Sequence, residues 1–308
     1  MTKEAESVCI LGAGAMGAFY ASKLYDLDPQ CVCLLAAGER FERLEKGGLI
    51  VNGAHYPVAV AAPDDRRPPS SLVIVALKHH HLPDAVGDLK NRVGERTVIM
   101  SVMNGIDSEE TIGAEYGMER MLYAVAVGID ALREDNRLTY THQGKLFFGE
   151  ARNTEPSDRV GRIQRLFDRA GIAYETPPDM MRILWWKFMI NVGVNQCSAV
   201  MQAPFGVFQN SRDAWDVMDA TMAEVMAIAN HMDIQLSGQD IEDWHRVLAG
   251  IAPQGKTSML QDIQAGRRTE VEMLAGKVVA LGAQYGIPTP VNQALLRIIR
   301  VLESRSAK

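Results

Sequence analysis

Along its first half the chain alternates short apolar runs with longer stretches in which apolar residues recur every three or four positions. Residues 8–11, 31–36, 72–77 and 97–102 are near-continuous apolar runs, the pattern expected of parallel strands buried on both faces. Residues 122–128 and 145–149 add two further strands, and residues 138–141 are expected to pair with the latter. Residues 18–24, 39–46 and 158–170 carry the spacing of amphipathic helices. Asn52-Gly53 between β-rich flanks signals a hairpin, and residues 172–175 suit a last edge strand. Pro177-Pro178 ends this alternation, because the residue before a proline is driven out of the helical region. Beyond it strand signals largely vanish: residues 180–200, 214–231, 239–249, 270–285 and 291–302 all read as helices.

The first turn of the chain adds chemistry to this pattern. Gly12, Gly14 and Gly17 fall at the spacing G-x-G-x-x-G between a strand-like run and a helical one. The first glycine permits the tight turn, the second lets backbone approach a pyrophosphate, and the third lets helix and strand pack closely. The helix start then offers N–H groups and a positive dipole end to phosphates. Gly12, Ala13, Gly14, Ala15, Met16 and Gly17 are therefore expected to hold a dinucleotide. The fold class is α/β: a Rossmann-type dinucleotide-binding domain over residues 1–178, followed by an all-α C-terminal domain over residues 179–308. The second strand ends in Ala36-Ala37-Gly38, with no acid to grip a ribose 2′-hydroxyl. With Arg40 close by, this favours NADP(H), NAD(H) remaining possible since Glu39 adjoins the arginine.

Bulk properties narrow the partners. The 308 residues are 47% hydrophobic, enough for about two domains. The net charge of −6 gives no footing for nucleic acid or an anionic membrane. No apolar run approaches the ~18–20 residues that cross a bilayer, and residues 1–7 are too polar and short for a secretory signal. Cys9, Cys31, Cys33 and Cys197 make neither a disulfide framework nor a zinc pattern, which suits a reduced, cytoplasmic protein. His79, His80 and His81 are adjacent, so their side chains diverge and suit a polar loop or helix start better than a shared metal.

Two strand ends supply candidate site residues. Lys78 follows the run 72–77, and Asn104-Gly105 follows the run 97–102; ligands of open α/β sheets bind beyond the carboxyl ends of strands. In the helical half, Lys187, Asn191 and Asn195 recur at i, i+4, i+8 on an otherwise apolar helix. Such a stripe either faces water or lines a site where its groups are paired. Asparagine is a poor surface helix filler and offers both a donor and an acceptor, which favours the site. A second cluster runs over residues 257–270, where Ser258 is placed to cap one helix, and Thr269 with Glu272 fits a capping box that puts Glu270 in the first turn of the next.

These pieces together resemble the ketopantoate reductase (2-dehydropantoate 2-reductase) family over nearly the whole chain. The resemblance rests on the glycine turn 12–17, Lys78, Asn104-Gly105, the W-x-K-x-x-x-N-x-x-x-N helix of residues 185–195, and the segment from Ser258 through Asp262 to Thr269-Glu270. It implies NADPH-dependent reduction of 2-dehydropantoate to pantoate, in pantothenate and coenzyme A biosynthesis. Lys187 would be the general acid and Glu270 would hold the substrate hydroxyl or the lysine. Asn104, Asn191, Asn195 and Ser258 would orient substrate and cofactor, with Lys78 and Arg40 near the cofactor. Two positions depart from the family pattern: Ala37 stands where an arginine is common, and Phe205 where an asparagine is common. An aromatic at 205 implies a different, more apolar 2-keto acid as the alternative substrate. A non-catalytic NADP-sensing protein is the other alternative, against which Lys187 and Glu270 argue. The apolar, Met-rich faces of the helical half would suit a homodimer.

Overall fold

The computed structural model describes residues 6–134 and 137–306, so most of the polar N-terminal stretch lies outside the described residues. Two compact units divide the chain, Met1–Ile183 and Leu184–Lys308.

The first unit is built on parallel strands. Its elements are β1 (Val8–Leu11), α1 (Ala15–Leu27), β2 (Val32–Leu35), α2 (Gly38–Gly47), β3 (Leu49–Val51), β4 (Ala54–Tyr56), β5 (Ala59–Ala61), β6 (Leu72–Val75), α3 (Leu82–Ala85), β7 (Val98–Ser101), α4 (Ser108–Tyr116), β8 (Met121–Ile129), β9 (Leu132–Glu134), β10 (Arg137–Thr139), β11 (Gln143–Gly149), α5 (Asp158–Ala170) and β12 (Tyr174–Glu175). The main sheet has the order β12-β11-β8-β7-β6-β1-β2-β5. Strands β5 to β8 in this sheet are mutually parallel, and the reversal falls where β11 meets β8. The apolar runs are buried on both faces, as their lack of a polar side requires. Val8, Ile10, Leu72 and Ile74 join one core cluster, and Cys9, Leu11, Val73 and Val75 join the other. α5 spans the residues its periodicity marks; Ser157 caps it by accepting from the Val160 amide, and Gly171 ends it in the left-handed region.

One pairing differs from expectation. Residues 138–141 do not pair with β11: β10 joins a small second sheet of order β4-β3-β10-β9. The reason is the hairpin. Asn52 and Gly53 both have positive φ, 47° and 83°, as the turn between β3 and β4 demands. Asn52 then accepts from the Tyr140 amide through Oδ1 at 2.9 Å and donates its own amide to the Leu138 carbonyl at 2.8 Å. The hairpin thereby captures β10.

Helices make up the second unit. α6 (Met180–Ile190) starts in the first unit, where Asp179 Oδ1 accepts from the Arg182 amide. It continues as a π-helical segment, Asn191–Asn195, into α7 (Gln196–Met201). Then come α8 (Phe205–Asn210), α9 (Arg212–His231), α10 (Gly238–Ala249), α11 (Ser258–Gln264), a second π segment (Glu272–Gly276), α12 (Lys277–Tyr285) and α13 (Pro290–Ser306). Met189, Met218, Met222, Met259 and Met273 are buried, while Met201 and Met232 are exposed. Most methionines of this unit therefore fill its interior rather than form an outward face. No helix among the described residues is long and apolar enough to cross a membrane.

Candidate active site

In the first unit the candidate residues gather at the carboxyl ends of β1, β6 and β7, which are neighbours in the sheet. After Leu11 the chain turns through Gly12 at φ 101°. A Cβ at Gly12 would lie 2.6 Å from the Ala76 carbonyl oxygen, and one at Gly17 would collide with the Gly12 carbonyl oxygen. Gly14 is different: the nearest atom to a Cβ there is the Ala76 oxygen at an ordinary 3.6 Å. Among the described residues no contact demands glycine at 14, so the position is open to close approach by an outside group. No side chain caps α1 and no acid occupies its first turn, so its N-terminal N–H groups suit an anion. Ala13 and Gly17 are buried, and Ala15 and Met16 are half-buried along the same turn. These residues fit a dinucleotide pyrophosphate.

Lys78 and Asn104 are each half-buried, a few residues beyond the ends of β6 and β7. The Ala76 amide donates to the Leu11 carbonyl at 2.8 Å and the Val102 amide to the Val75 carbonyl at 2.9 Å, so strand pairing sets the register of all three loops. Gly105 at φ 105° lets the chain reverse after Asn104. At the tip of β2, Ala37 precedes α2 without a side-chain cap, and Glu39 and Arg40 are both exposed in its first turn. The start of α2 thus carries a carboxylate and a guanidinium side by side, with no side-chain cap.

The helical unit holds the candidate proton donor, Lys187. Lys187 is half-buried on α6, and desolvation alone pulls its ammonium down to about 8. Asn191 and Asn195 are buried, with 5% and 9% of their surface exposed, so they are not a solvated stripe. Both lie in the π segment, whose wider turn departs from the regular 3.6-residue spacing; such bulges recur at functional sites. A Cβ at Gly193 would strike the Met222 side chain, so glycine lets α9 pack against this wide turn. Glu270 is buried, and its carbonyl accepts from the Met273 and Leu274 amides at 3.1 Å each, which places it at the start of the second π segment. The two π segments pack on each other, and α11 packs on the first. The structure thus brings the elements bearing Asn191, Asn195, Ser258 and Glu270 together.

Two local details correct the capping scheme. Thr257, not Ser258, caps α11: its side chain accepts from the Leu260 amide at 3.2 Å. Ser258 is the exposed first residue of that helix. The Thr269–Glu272 box does not form, because Glu272 is held by Arg300 through two 2.7 Å bonds and Thr269 donates from backbone and hydroxyl to Glu303 Oε1 at 2.6 Å.

A buried polar network behind the π segment was not anticipated. The Gln196 side-chain amide donates to the Val192 carbonyl at 2.7 Å and to Asn292 Oδ1 at 3.2 Å. Asn292 donates to Glu224 Oε2 at 2.7 Å, and Glu224 accepts the Val291 and Asn292 amides that begin α13. Its members are 28 and 68 residues from one another along the chain (196 to 224, 224 to 292), so no short spacing announces it.

Comparison with known proteins agrees with this arrangement. Residues 8–153 match the family model for ketopantoate reductase PanE/ApbA, and residues 179–303 match the model for its C-terminal domain. A 2-dehydropantoate 2-reductase of Archaeoglobus fulgidus is 27% identical over 302 residues, covering 97% of this chain and 98% of that protein. The ternary structure of D-mandelate dehydrogenase with NADH and anilino(oxo)acetate shares the fold at TM-score 0.89 and 18% identity, over 98% of this chain and 100% of the other. A dimeric ketopantoate reductase from Staphylococcus aureus shares it at TM-score 0.81 and 18% identity, over 97% and 99%. With both halves of the chain matched in order, and a glycine turn in one and a desolvated lysine in the other, the chain belongs to the ketopantoate reductase family of oxidoreductases.

Proposed function

We propose that this chain is a cytoplasmic, NADPH-dependent 2-keto acid reductase that converts 2-dehydropantoate to pantoate for pantothenate synthesis. The observation that carries the reading is Lys187, a desolvated ammonium followed by two buried asparagines. When bound, the nicotinamide supplies hydride to the keto carbon. Lys187 donates a proton from Nζ to the oxygen that becomes the hydroxyl, and as a cation it stabilises the charge building there. Asn191 and Asn195 each offer a donor and an acceptor for the carbonyl and hydroxyl groups of the substrate. Glu270 and Ser258 orient the substrate, with Glu270 on the hydroxyl or the lysine. Residues 12–17, Lys78 and Asn104 hold the cofactor, and Arg40 favours NADPH over NADH because the β2 tip lacks an acid. The domains are residues 1–178 for the nucleotide and 179–308 for the substrate. A homodimer is the proposed assembly, as in the S. aureus relative.

A second reading is favoured by Phe205. Its amide donates to the Gly255 carbonyl at 3.0 Å, and its half-buried ring lies so close to Gly255 that a Cβ there would sit 3.0 Å from Cδ2. An anchored aromatic at this place suits a more apolar keto acid, and the D-mandelate dehydrogenase of the same fold holds anilino(oxo)acetate. Loss of NADPH absorbance with 2-dehydropantoate, branched aliphatic 2-keto acids and phenylglyoxylate tests both. The highest kcat/KM is expected with 2-dehydropantoate. A preference of about tenfold or more for phenylglyoxylate, a difference of ~1.4 kcal/mol in transition-state binding, selects the second reading. NADPH binding without turnover of any of them would instead mark a non-catalytic sensor.

A further inference from the structure

Glu109 is a carboxyl that the chemistry above does not use. It lies in the first turn of α4 with 2% of its surface exposed, and desolvation pushes it up to about 7. Burying a carboxyl costs free energy that a glutamine or leucine would avoid, so its presence needs a reason.

Its surroundings supply one. Ser101 is the last residue of β7 and Ser108 the first of α4, so they bracket the turn of residues 102–107 that carries Asn104. Their hydroxyl oxygens are 2.8 Å apart, and Ser108 Oγ is also 3.0 Å from Glu109 Oε2. Both serines are buried. Ser108 has one hydroxyl hydrogen and cannot donate both ways at once. With Glu109 ionised the chain has one direction: Ser101 donates to Ser108, and Ser108 donates to the carboxylate. Ser101 Oγ then still accepts the Met103 amide at 3.3 Å. With Glu109 protonated the carboxyl can donate to Ser108, which turns Ser108 toward Ser101 and displaces the Ser101 hydrogen. Other ionisable groups surround this chain. Glu110 on the same helix and Asp107 at its N-cap repel the carboxylate, and Asp107 Oδ1 in turn lies 3.7 Å from Nδ1 of His79, on the turn after β6. Tyr123 of β8 faces it, its phenol pushed up first by burial and then by Glu109 and Glu110. Asp88, Lys90, Glu119 and Arg120 sit on the turns packed against α4, and Arg120 is paired with Glu119.

We propose that Glu109 is a positioning residue for the cofactor site: its carboxylate, acting through Ser108 and Ser101, holds the Asn104 turn in the shape that engages the dinucleotide. This rests on the reading that the first unit binds NADPH.

Dissociation constants of NADPH and NADH, read by nucleotide fluorescence across pH 6 to 8, test it; NADH lacks the 2′-phosphate and so removes that group's own titration. In the wild-type protein affinity for both nucleotides is expected to fall about fivefold as pH drops through 7, at the low end of coupling between linked sites. In Glu109→Gln the profile is expected to be flat, with the same melting temperature trend at pH 8. A flat wild-type profile, or an unchanged slope in Glu109→Gln, overturns the proposal while leaving the reductase reading intact. Should that variant not fold, Ser108→Ala severs the carboxyl from Ser101 and is expected to flatten the profile; retained pH dependence there overturns it equally. A wild-type protein that binds neither nucleotide removes the reductase reading and this inference with it.

Discussion

A single ammonium group carries most of the chemistry assigned to this chain. Burial draws Lys187 from the ordinary lysine range to about 8, with no nearby charge needed to explain it. In the reductive direction the protonated form is the working one, so kcat is expected to fall as pH rises past about 8. In the oxidative direction the neutral amine must take a proton, and the dependence reverses. Lys187→Ala is expected to lower kcat by roughly 10²–10⁴, the usual worth of a positioned general acid, with the NADPH dissociation constant unchanged. Stopped-flow turnover and fluorescence titration check the two halves of that statement. The same burial has a stability side. Because the folded value is depressed, the favourable contribution is present above the unfolded value and lost as pH falls through about 8. At pH 7 the folded chain bears the ammonium at a cost, and Lys187→Met is expected to raise stability there by roughly 1–2 kcal/mol after allowance for solvent screening of a half-buried group. That gain should shrink as pH rises from about 8 and be gone above ~10.4, where lysine is neutral in both states.

At the scale of elements, the π segment of residues 191–195 is the feature to perturb. Gly193→Ala adds about 1 kcal/mol of helix propensity. It also drives a methyl into the buried Met222 side chain, and overpacking of this kind costs about 1–3 kcal/mol. Net destabilisation by urea unfolding and a clear loss of kcat are expected, with Met222→Ala added to Gly193→Ala restoring part of both. A Gly193→Ala protein as stable and as active as wild type would show that the wide turn has no role. This segment also marks the edge of what the chain reveals before it folds. The strands of the main sheet were legible because runs such as 72–77 have no polar side to leave in water. Lys187, Asn191 and Asn195 were legible as a group because four-residue spacing approximates one face of any helix. The π geometry was not, since it is packed against a helix distant in sequence: Gly193 leaves room for Met222, 29 residues on (193 to 222). The pairing of β10 was missed for the same reason: Asn52 takes the Tyr140 amide across 88 residues. Thr257 and Ser258 are adjacent hydroxyl residues, either able to cap by composition, and only the Leu260 amide distinguishes them.

For the whole molecule, the chain divides into two compact units, so each ligand is expected to leave its mark where it binds. A ligand that binds only folded protein stabilises it by mass action, about 2.7 kcal/mol at a hundredfold excess over its dissociation constant. Hydrogen–deuterium exchange locates that gain, since local openings are suppressed first in the segments a ligand touches. NADPH alone is expected to slow exchange in residues 12–17, 76–78 and 102–105, which follow the three neighbouring strands β1, β6 and β7. A keto acid added to the NADPH complex is expected to extend protection to residues 187–195 and 258–274. The chain's net charge of −6 offers an anionic nucleotide no long-range attraction, so the protection is expected from local donors, of which the uncapped α1 start, Lys78 and Arg40 are the candidates. Protection by NADPH confined to the helical unit would reverse the assignment of the two halves, because the glycine turn would then be a packing device between β1 and α1 and nothing more.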